Sequence, residues 1–272
     1  MASVLTQLQI DHYHTDGFAV APYFFDGDEV RMMQAEVQRL LETGLLRNTV
    51  DGRPGSAHRE EKVNLQLCPV SPHSPLLRGL PFSAKIREAV SLLIGDDFHL
   101  QLDQIFLKPA RHGTGTSWHQ DNAYFDCPDP YQGVGMWIAV HDAHKDNGTL
   151  HLIPGSHQRV LEHLRDEEST SHVTCHVDET KEKVVPIELS AGGAVFFNYG
   201  VAHCTTGNHT DAARAGLALH FVGSRYLDRT KASTQARPKL AGPGFSFGRD
   251  EYGANMVGDW ERRLAEFDAI FS

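Results

Sequence analysis

A chain of 272 residues with 25 basic and 35 acidic side chains, formal charge −10, has room for one large domain with a substantial core and no excess of cations for nucleic acid. Four cysteines (Cys68, Cys127, Cys175 and Cys204) without a Cys-x-x-Cys spacing read as reduced thiols, and no segment approaches the ~20 apolar residues of a membrane helix. The start shows no basic stretch followed by an apolar run, so the expectation is a cytoplasmic protein acting on a small molecule, with neither nucleic acid nor membrane as partner.

In chain order, residues 6–16 read as a short helix, 18–25 as a strand and 28–42 as an amphipathic helix ended by Gly44. Residues 46–59, with Asn48, Asp51-Gly52 and Pro54-Gly55, have loop chemistry suited to a mobile cover over a pocket. A further helix is expected over 83–94, stopped by Gly95. From Phe98 onward the pattern becomes short β-type runs punctuated by Gly, Pro and Asn, with a polar interruption at 158–172. A loop over 237–248 rich in Gly and Pro precedes a closing helix over 258–267. The expected organisation is a single domain, 1–272: a helical part over about 1–97 packed on a β core over about 98–230, with a C-terminal helix over about 257–270.

The spacing His-x-Asp/Glu occurs six times, beginning at His14, His58, His119, His144, His176 and His209, where composition alone predicts about two. Context separates them. His14 falls in the first helix, His58 in a polar stretch after Pro54-Gly55, His144 in the turn-like 142–148 segment, and His209 in a turn after Gly207-Asn208. His176 lies in an alternating segment only 27 residues before His203, room for one hairpin. His119 follows the extended run 100–108 and a loop holding Pro109, Gly113 and Gly115, and it precedes His203 by 84 residues, enough for several strands. On an extended strand side chains two apart share a face, so His119 and Asp121 can offer an imidazole nitrogen and a carboxylate oxygen to one point. Two histidines and a carboxylate on one side of an octahedral metal leave positions open, the arrangement of non-haem Fe(II) oxygenases.

Two strands divide into a core face and a cavity face. In 214–222, Arg214, Gly216, Ala218 and His220 alternate with Ala215, Leu217, Leu219 and Phe221; in 134–140, Gly135, Trp137 and Ala139 alternate with Met136, Ile138 and Val140. Small residues beside Arg214 would leave room for a ligand, and guanidinium matches a carboxylate through two parallel hydrogen bonds.

Four segments, Trp118-His-Gln-Asp-Asn-Ala-Tyr-Phe125, Gly135-Met-Trp-Ile-Ala-Val140, Asn147-Gly-Thr-Leu-His-Leu-Ile-Pro-Gly-Ser-His157, and His203 followed eleven residues later by Arg214, resemble the phytanoyl-CoA dioxygenase family over most of the chain. The resemblance implies a double-stranded β-helix (jelly-roll, cupin-like) of eight strands in two sheets, mainly β with flanking helices. It implies iron held by His119, Asp121 and His203, and 2-oxoglutarate anchored by Arg214 with Thr205 and Trp137 lining its pocket. Gln104, Asn122, Tyr124, Phe125, Asn198 and Tyr199 would stand near the substrate, while His151 and His157 hold strand ends. The implied cofactors are Fe(II), 2-oxoglutarate and O2. The implied reaction is hydroxylation of a C–H bond with release of succinate and CO2; desaturation, cyclisation and epimerisation are variants of it. Related iron halogenases carry Gly or Ala where this chain has Asp121, which points away from halogenation. The chain holds no clustered Lys/Arg run suited to nucleotide phosphates, which favours a small metabolite over an acyl-CoA. Two other classes stay open: a non-oxidative metal- or ligand-binding jelly-roll, and a zinc hydrolase on the same triad.

Overall fold

Alternating apolar residues from Phe98 onward build two facing sheets, seen in a computed structural model that describes residues 3–49, 63–165, 173–227 and 236–271. The strands are β1 (Phe18–Ala21), β2 (Arg47–Asn48), β3 (Leu65–Leu67), β4 (Phe98–Lys108), β5 (Thr116–His119), β6 (Gly133–Ala139) and β7 (Leu150–Leu152), followed by β8 (His163–Arg165), β9 (Val173–Cys175), β10 (Val185–Pro186), β11 (Ala194–Asn198), β12 (His203–Thr205) and β13 (Arg214–Gly223). The major sheet runs β1-β11-β6-β13-β4-β3-β2, the minor sheet runs β10-β7-β12-β5, and β8 pairs with β9 as a separate hairpin. All the strand pairs are antiparallel.

The helices are α1 (Gln7–Asp16), α2 (Gly27–Glu42), α3 (Pro75–Gly79), α4 (Ala84–Ile94), α5 (Asn122–Phe125), α6 (Arg249–Tyr252) and α7 (Asp259–Phe271). Thr6 with Gln9, and Asp26 with Glu29, form reciprocal capping boxes that start α1 and α2. The outer face of the major sheet (Ala215, Leu217, Leu219, Phe221, Met136, Ile138, Phe196) packs on α2, α4 and α7. In α2 alone, Met32, Met33, Val37 and Leu40 are buried, which is worth about 6–12 kcal/mol before chain entropy is counted. The inner face (Trp137, Ala139, Val195, Phe197, Ala218) meets Leu150 and Leu152 of the minor sheet, so anything bound between the sheets is walled by rigid strands.

The jelly-roll architecture and the two-faced reading of β6 and β13 hold. Several details differ. The major sheet has seven strands because β1, β2 and β3, all before Phe98, join it; the first 97 residues are therefore not only a helical layer. β1 stops at Ala21, where Pro22 has no N–H for the ladder. Helix α3 was not anticipated; Ser74 caps it and Pro75 opens it. Residues 50–62, and with them His58 and most of the expected cover loop, lie outside the described residues, as do 166–172 of the polar interruption. Among the described residues no helix is long and apolar enough to cross a membrane, and all four cysteines are free thiols.

Candidate metal centre and anion seat

His119 closes β5 and His203 opens β12, and the two stand directly opposite each other in the minor sheet. Their ring centroids are 4.1 Å apart. Each imidazole is held by a carbonyl two residues back: Nδ1–H of His119 donates to Ser117 O (2.8 Å) and Nδ1–H of His203 to Val201 O (2.9 Å). That tautomer leaves both Nε2 lone pairs free. They point at one carboxylate oxygen, Oδ1 of Asp121, at 3.8 Å and 3.6 Å, and the three ligand atoms all lie within 4.8 Å of one another. Burial, reinforced by the neighbouring His203, pulls His119 down to about 3, so it is neutral at physiological pH, the form a metal requires. Burial alone would raise the Asp121 carboxyl, but His220, His203 and His119 outweigh it and hold the group below the usual carboxylate range. Two imidazoles offering Nε2 and an ionised carboxylate converging from one side fit a divalent iron. Of the triplets at His14, His144, His176 and His209, all within the described residues, none forms such a cluster.

The pair His119/Asp121 converges for a reason other than strand alternation. β5 ends at His119, and Asp121 has helical backbone (φ −57°, ψ −28°) at the start of α5. Gln120 makes this sharp change of direction possible. Its buried amide donates to Arg159 O (2.9 Å) and Gly200 O (2.6 Å) and accepts from Leu161 N (3.1 Å), pinning the ligand loop to two neighbouring segments.

The second half of the site lies on the major sheet. Arg214 and Lys108 are direct cross-strand partners at the ends of β13 and β4, and each is 1% exposed. Like charges placed opposite each other repel, and burying them adds a desolvation cost. No carboxylate among the described residues pairs with either one. The guanidinium donates to Gly148 O and lies 5.4 Å from the Trp137 ring centroid, with Nε buried and unpartnered. Lys108 Nζ donates to Thr206 O and to Thr205 Oγ1 (2.7 Å), which bridges the two sheets beside His203. Burial, then repulsion from Arg214, pulls the Lys108 amine down to about 6; burial pulls Arg214 down to about 10. A buried guanidinium without a carboxylate partner, beside an amine that a nearby negative charge would reprotonate, is an arrangement that can take an anion. Lys108 was missed in the sequence, although alternation along β4 puts it on the same face as Gln104.

Gly216 carries a different meaning from the one expected. A Cβ there would come within 2.7 Å of the Trp137 indole, so the space beside Arg214 is filled by that ring, not kept for ligand. Gly135 does the same for Phe197, whose ring packs 4.7 Å from His203. Tyr124 walls His119 edge-on while its hydroxyl is tied to Val173 backbone. Phe125 stacks on Tyr199 and lies 5.2 Å from His220. Asn122 follows Asp121 with a buried, unpartnered Oδ1. Asn198 does not join this group: it shares the strand face of Phe196, away from Phe197, and accepts from Gly200 N in a turn. Gln104 has both ends of its amide engaged, by Gln66 and by His220. His151 stands on β7 opposite Cys204, and His157 is buried against Tyr131, neither near the metal ligands' shared point.

The sequence profile of the phytanoyl-CoA dioxygenase (PhyH) family matches residues 13–216, which includes all three ligands and Arg214. The chain belongs to the phytanoyl-CoA dioxygenase family. Its relatives include the phytanoyl-CoA dioxygenase of Arabidopsis thaliana, 25% identical and covering 88% of this chain and 96% of the relative, and the ectoine dioxygenase of Nocardia farcinica, 27% identical and covering 78% and 76%. Among solved structures the carbocyclase SnoK from nogalamycin biosynthesis superposes with TM-score 0.69 at 19% identity, covering 91% of this chain and 92% of that one. EctD from S. alaskensis with 2-oxoglutarate and 5-hydroxyectoine superposes at TM-score 0.65 and 21% identity, covering 94% and 87%. Members of the family are Fe(II)- and 2-oxoglutarate-dependent oxygenases, and the His119/Asp121/His203 cluster has the ligand atoms to hold such a metal.

Proposed function

We propose that the protein hydroxylates a C–H bond of a small metabolite, with iron held by His119, Asp121 and His203 and the far carboxylate of 2-oxoglutarate held by Arg214 and Lys108. Iron and 2-oxoglutarate together supply the activation of O2, with succinate and CO2 as coproducts. The chain's own residues do the rest. Nδ1–H bonds to Ser117 and Val201 aim both imidazoles, and Gln120 fixes the loop that presents Asp121. Trp137 backs the guanidinium, Thr205 orients the Lys108 amine, and Asn122, Tyr124 and Phe125 border the space beside the ligands where substrate would lie. A carboxylate at position 121 favours hydroxylation over halogenation. Free thiols throughout the chain and its acidic balance fit the reducing cytoplasm.

The observation that carries this reading is the buried Lys108/Arg214 pair, without a carboxylate partner among the described residues and tied by Lys108 Nζ to Thr205, two residues after the ligand His203: a non-oxidative jelly-roll or a zinc hydrolase has no use for it. Anaerobic titration tests it. Fe(II) followed by 2-oxoglutarate should produce a weak visible charge-transfer band, and a metabolite screen for substrate-stimulated succinate should then find the substrate. A protein that binds Fe(II) and shows neither the band nor measurable affinity for 2-oxoglutarate would defeat the proposal.

A further inference from the structure

Only one oxygen of Asp121 faces the two imidazoles. The other, Oδ2, has His220 Nδ1 at 3.3 Å, an ion-pair contact without hydrogen-bond geometry, and both of these buried atoms lack a hydrogen-bond partner among the described residues. On its far side the same ring presents Nε2 to the amide nitrogen of Gln104, 3.2 Å away, while Oε1 of Gln104 accepts from Gln66 Nε2 at 2.8 Å. An amide nitrogen can only donate. With Oε1 taken by Gln66, the Gln104 NH2 faces the ring, so Nε2 of His220 is the acceptor and the ring proton sits on Nδ1, toward Asp121. An imidazolium would set two donors against each other at Gln104. The backbone supports the aim of the ring: pairing of β13 with β4 slips one residue between His220 and Phe221, and such a bulge re-aims the side chain beside it. Gln104, His220 and Asp121 are all at most 9% exposed, so water competes little for these bonds.

We infer that His220 is a positioning residue for the metal ligand Asp121: its Nδ1–H faces the unpartnered Oδ2, closes on it when the site is loaded and leaves Oδ1 as the atom that binds metal, with Gln104 and Gln66 fixing the tautomer. The inference rests on the iron-centre reading above and extends it to three side chains outside the ligand set. It also changes the role of Gln104, whose amide is spent on His220 and not available to substrate.

Co(II) titration of the metal-free full-length chain, followed by visible absorption, reads the ligand set without turnover. His220→Leu should weaken Co(II) binding by about 10- to 100-fold and change the band intensity as Oδ2 is released, whereas His220→Asn, whose amide nitrogen can take the place of Nδ1, should bind within about threefold of wild type. Circular dichroism melting checks that each variant folds, and the asparagine variant carries the test if the leucine variant does not. Wild-type affinity and an unchanged spectrum in His220→Leu, or an asparagine variant as impaired as a misligated site, would overturn the inference while leaving the metal centre standing. Failure of the wild-type chain itself to bind Co(II) would overturn both.

Discussion

Lys108→Met removes one cation from the anion seat while keeping an unbranched side chain of similar length. In the free protein the amine is pulled down to about 6 by burial and by Arg214, so above that pH it is mostly neutral. A bound dicarboxylate raises it again, because the opposite charge favours the protonated form. The liganded protein therefore holds a proton that the free protein lacks, and affinity for 2-oxoglutarate, whose own carboxylates stay ionised, falls as pH rises above 6. The cost approaches about 1.36 kcal/mol per unit well above pH 6 and is half that at pH 6, so moving from pH 6 to pH 8 costs about 2.3 kcal/mol. That matches the whole value of a charged hydrogen bond, about 1.5–3 kcal/mol. Lys108→Met should thus weaken 2-oxoglutarate by about 10- to 150-fold at pH 6 and by little at pH 8. Anaerobic calorimetry on Fe(II)-loaded protein, in two buffers of different ionisation enthalpy, should show proton uptake near pH 7.5 for wild type and none for the variant. Equal dissociation constants at pH 6, or no proton uptake by wild type, would refute the reasoning.

His119→Ala, His203→Ala and Asp121→Gly should each lose iron binding and succinate formation, while His14→Ala and His176→Ala, outside the cluster, keep both; iron content by metal analysis separates the two sets. Arg214→Ala should weaken 2-oxoglutarate by about 2–5 kcal/mol with iron affinity nearly unchanged, since its buried partner charge is left alone. An unaltered apparent affinity at saturating iron would show that the guanidinium does not touch the cosubstrate. Gly216→Ala drives a methyl into the Trp137 indole and should cost about 1–3 kcal/mol of stability, read as a lowered Tm with shifted tryptophan emission.

Periodicity was enough to read the two faces of β6 and β13, because a strand's alternation is written in its own residues. What depends on neighbouring strands was not readable. Gly216 looked like space for a ligand, and only the register of β13 against β6, with Ala218 opposite Trp137, shows that an indole from the next strand fills it. Lys108 is the same case. A lysine closing a strand is ordinarily exposed, and nothing local reveals that Arg214 is its cross-strand partner or that both are buried. His119 and Asp121 were paired correctly on a wrong premise: the extended run stops at His119, and the hydrogen bonds of Gln120 to segments 36 to 80 residues away turn the chain. His220 stood on the cavity face in the sequence, but nothing in β13 itself shows that Asp121 comes within 3.3 Å of its ring or that the β13–β4 register slips beside it.

Most of the residues that would hold iron and cosubstrate and the residues that would meet substrate are built differently. His119, His203, Thr205, Lys108, Arg214 and Trp137 all sit on paired strands, and cross-strand contacts join most of them, so altering one disturbs several others. Asn122, Tyr124 and Phe125 occupy one four-residue turn that follows directly on Asp121. Its side chains can change with little effect on the ladder, since the turn contributes no strand pairing. A new substrate would therefore be met by changing these three side chains while the backbone of the turn, which begins at Asp121 and bonds its carbonyl through Tyr124 N and Phe125 N, is kept. The relatives at 25% and 27% identity to this chain carry the names of two different substrates, phytanoyl-CoA and ectoine, and a division of this kind is one that would allow both.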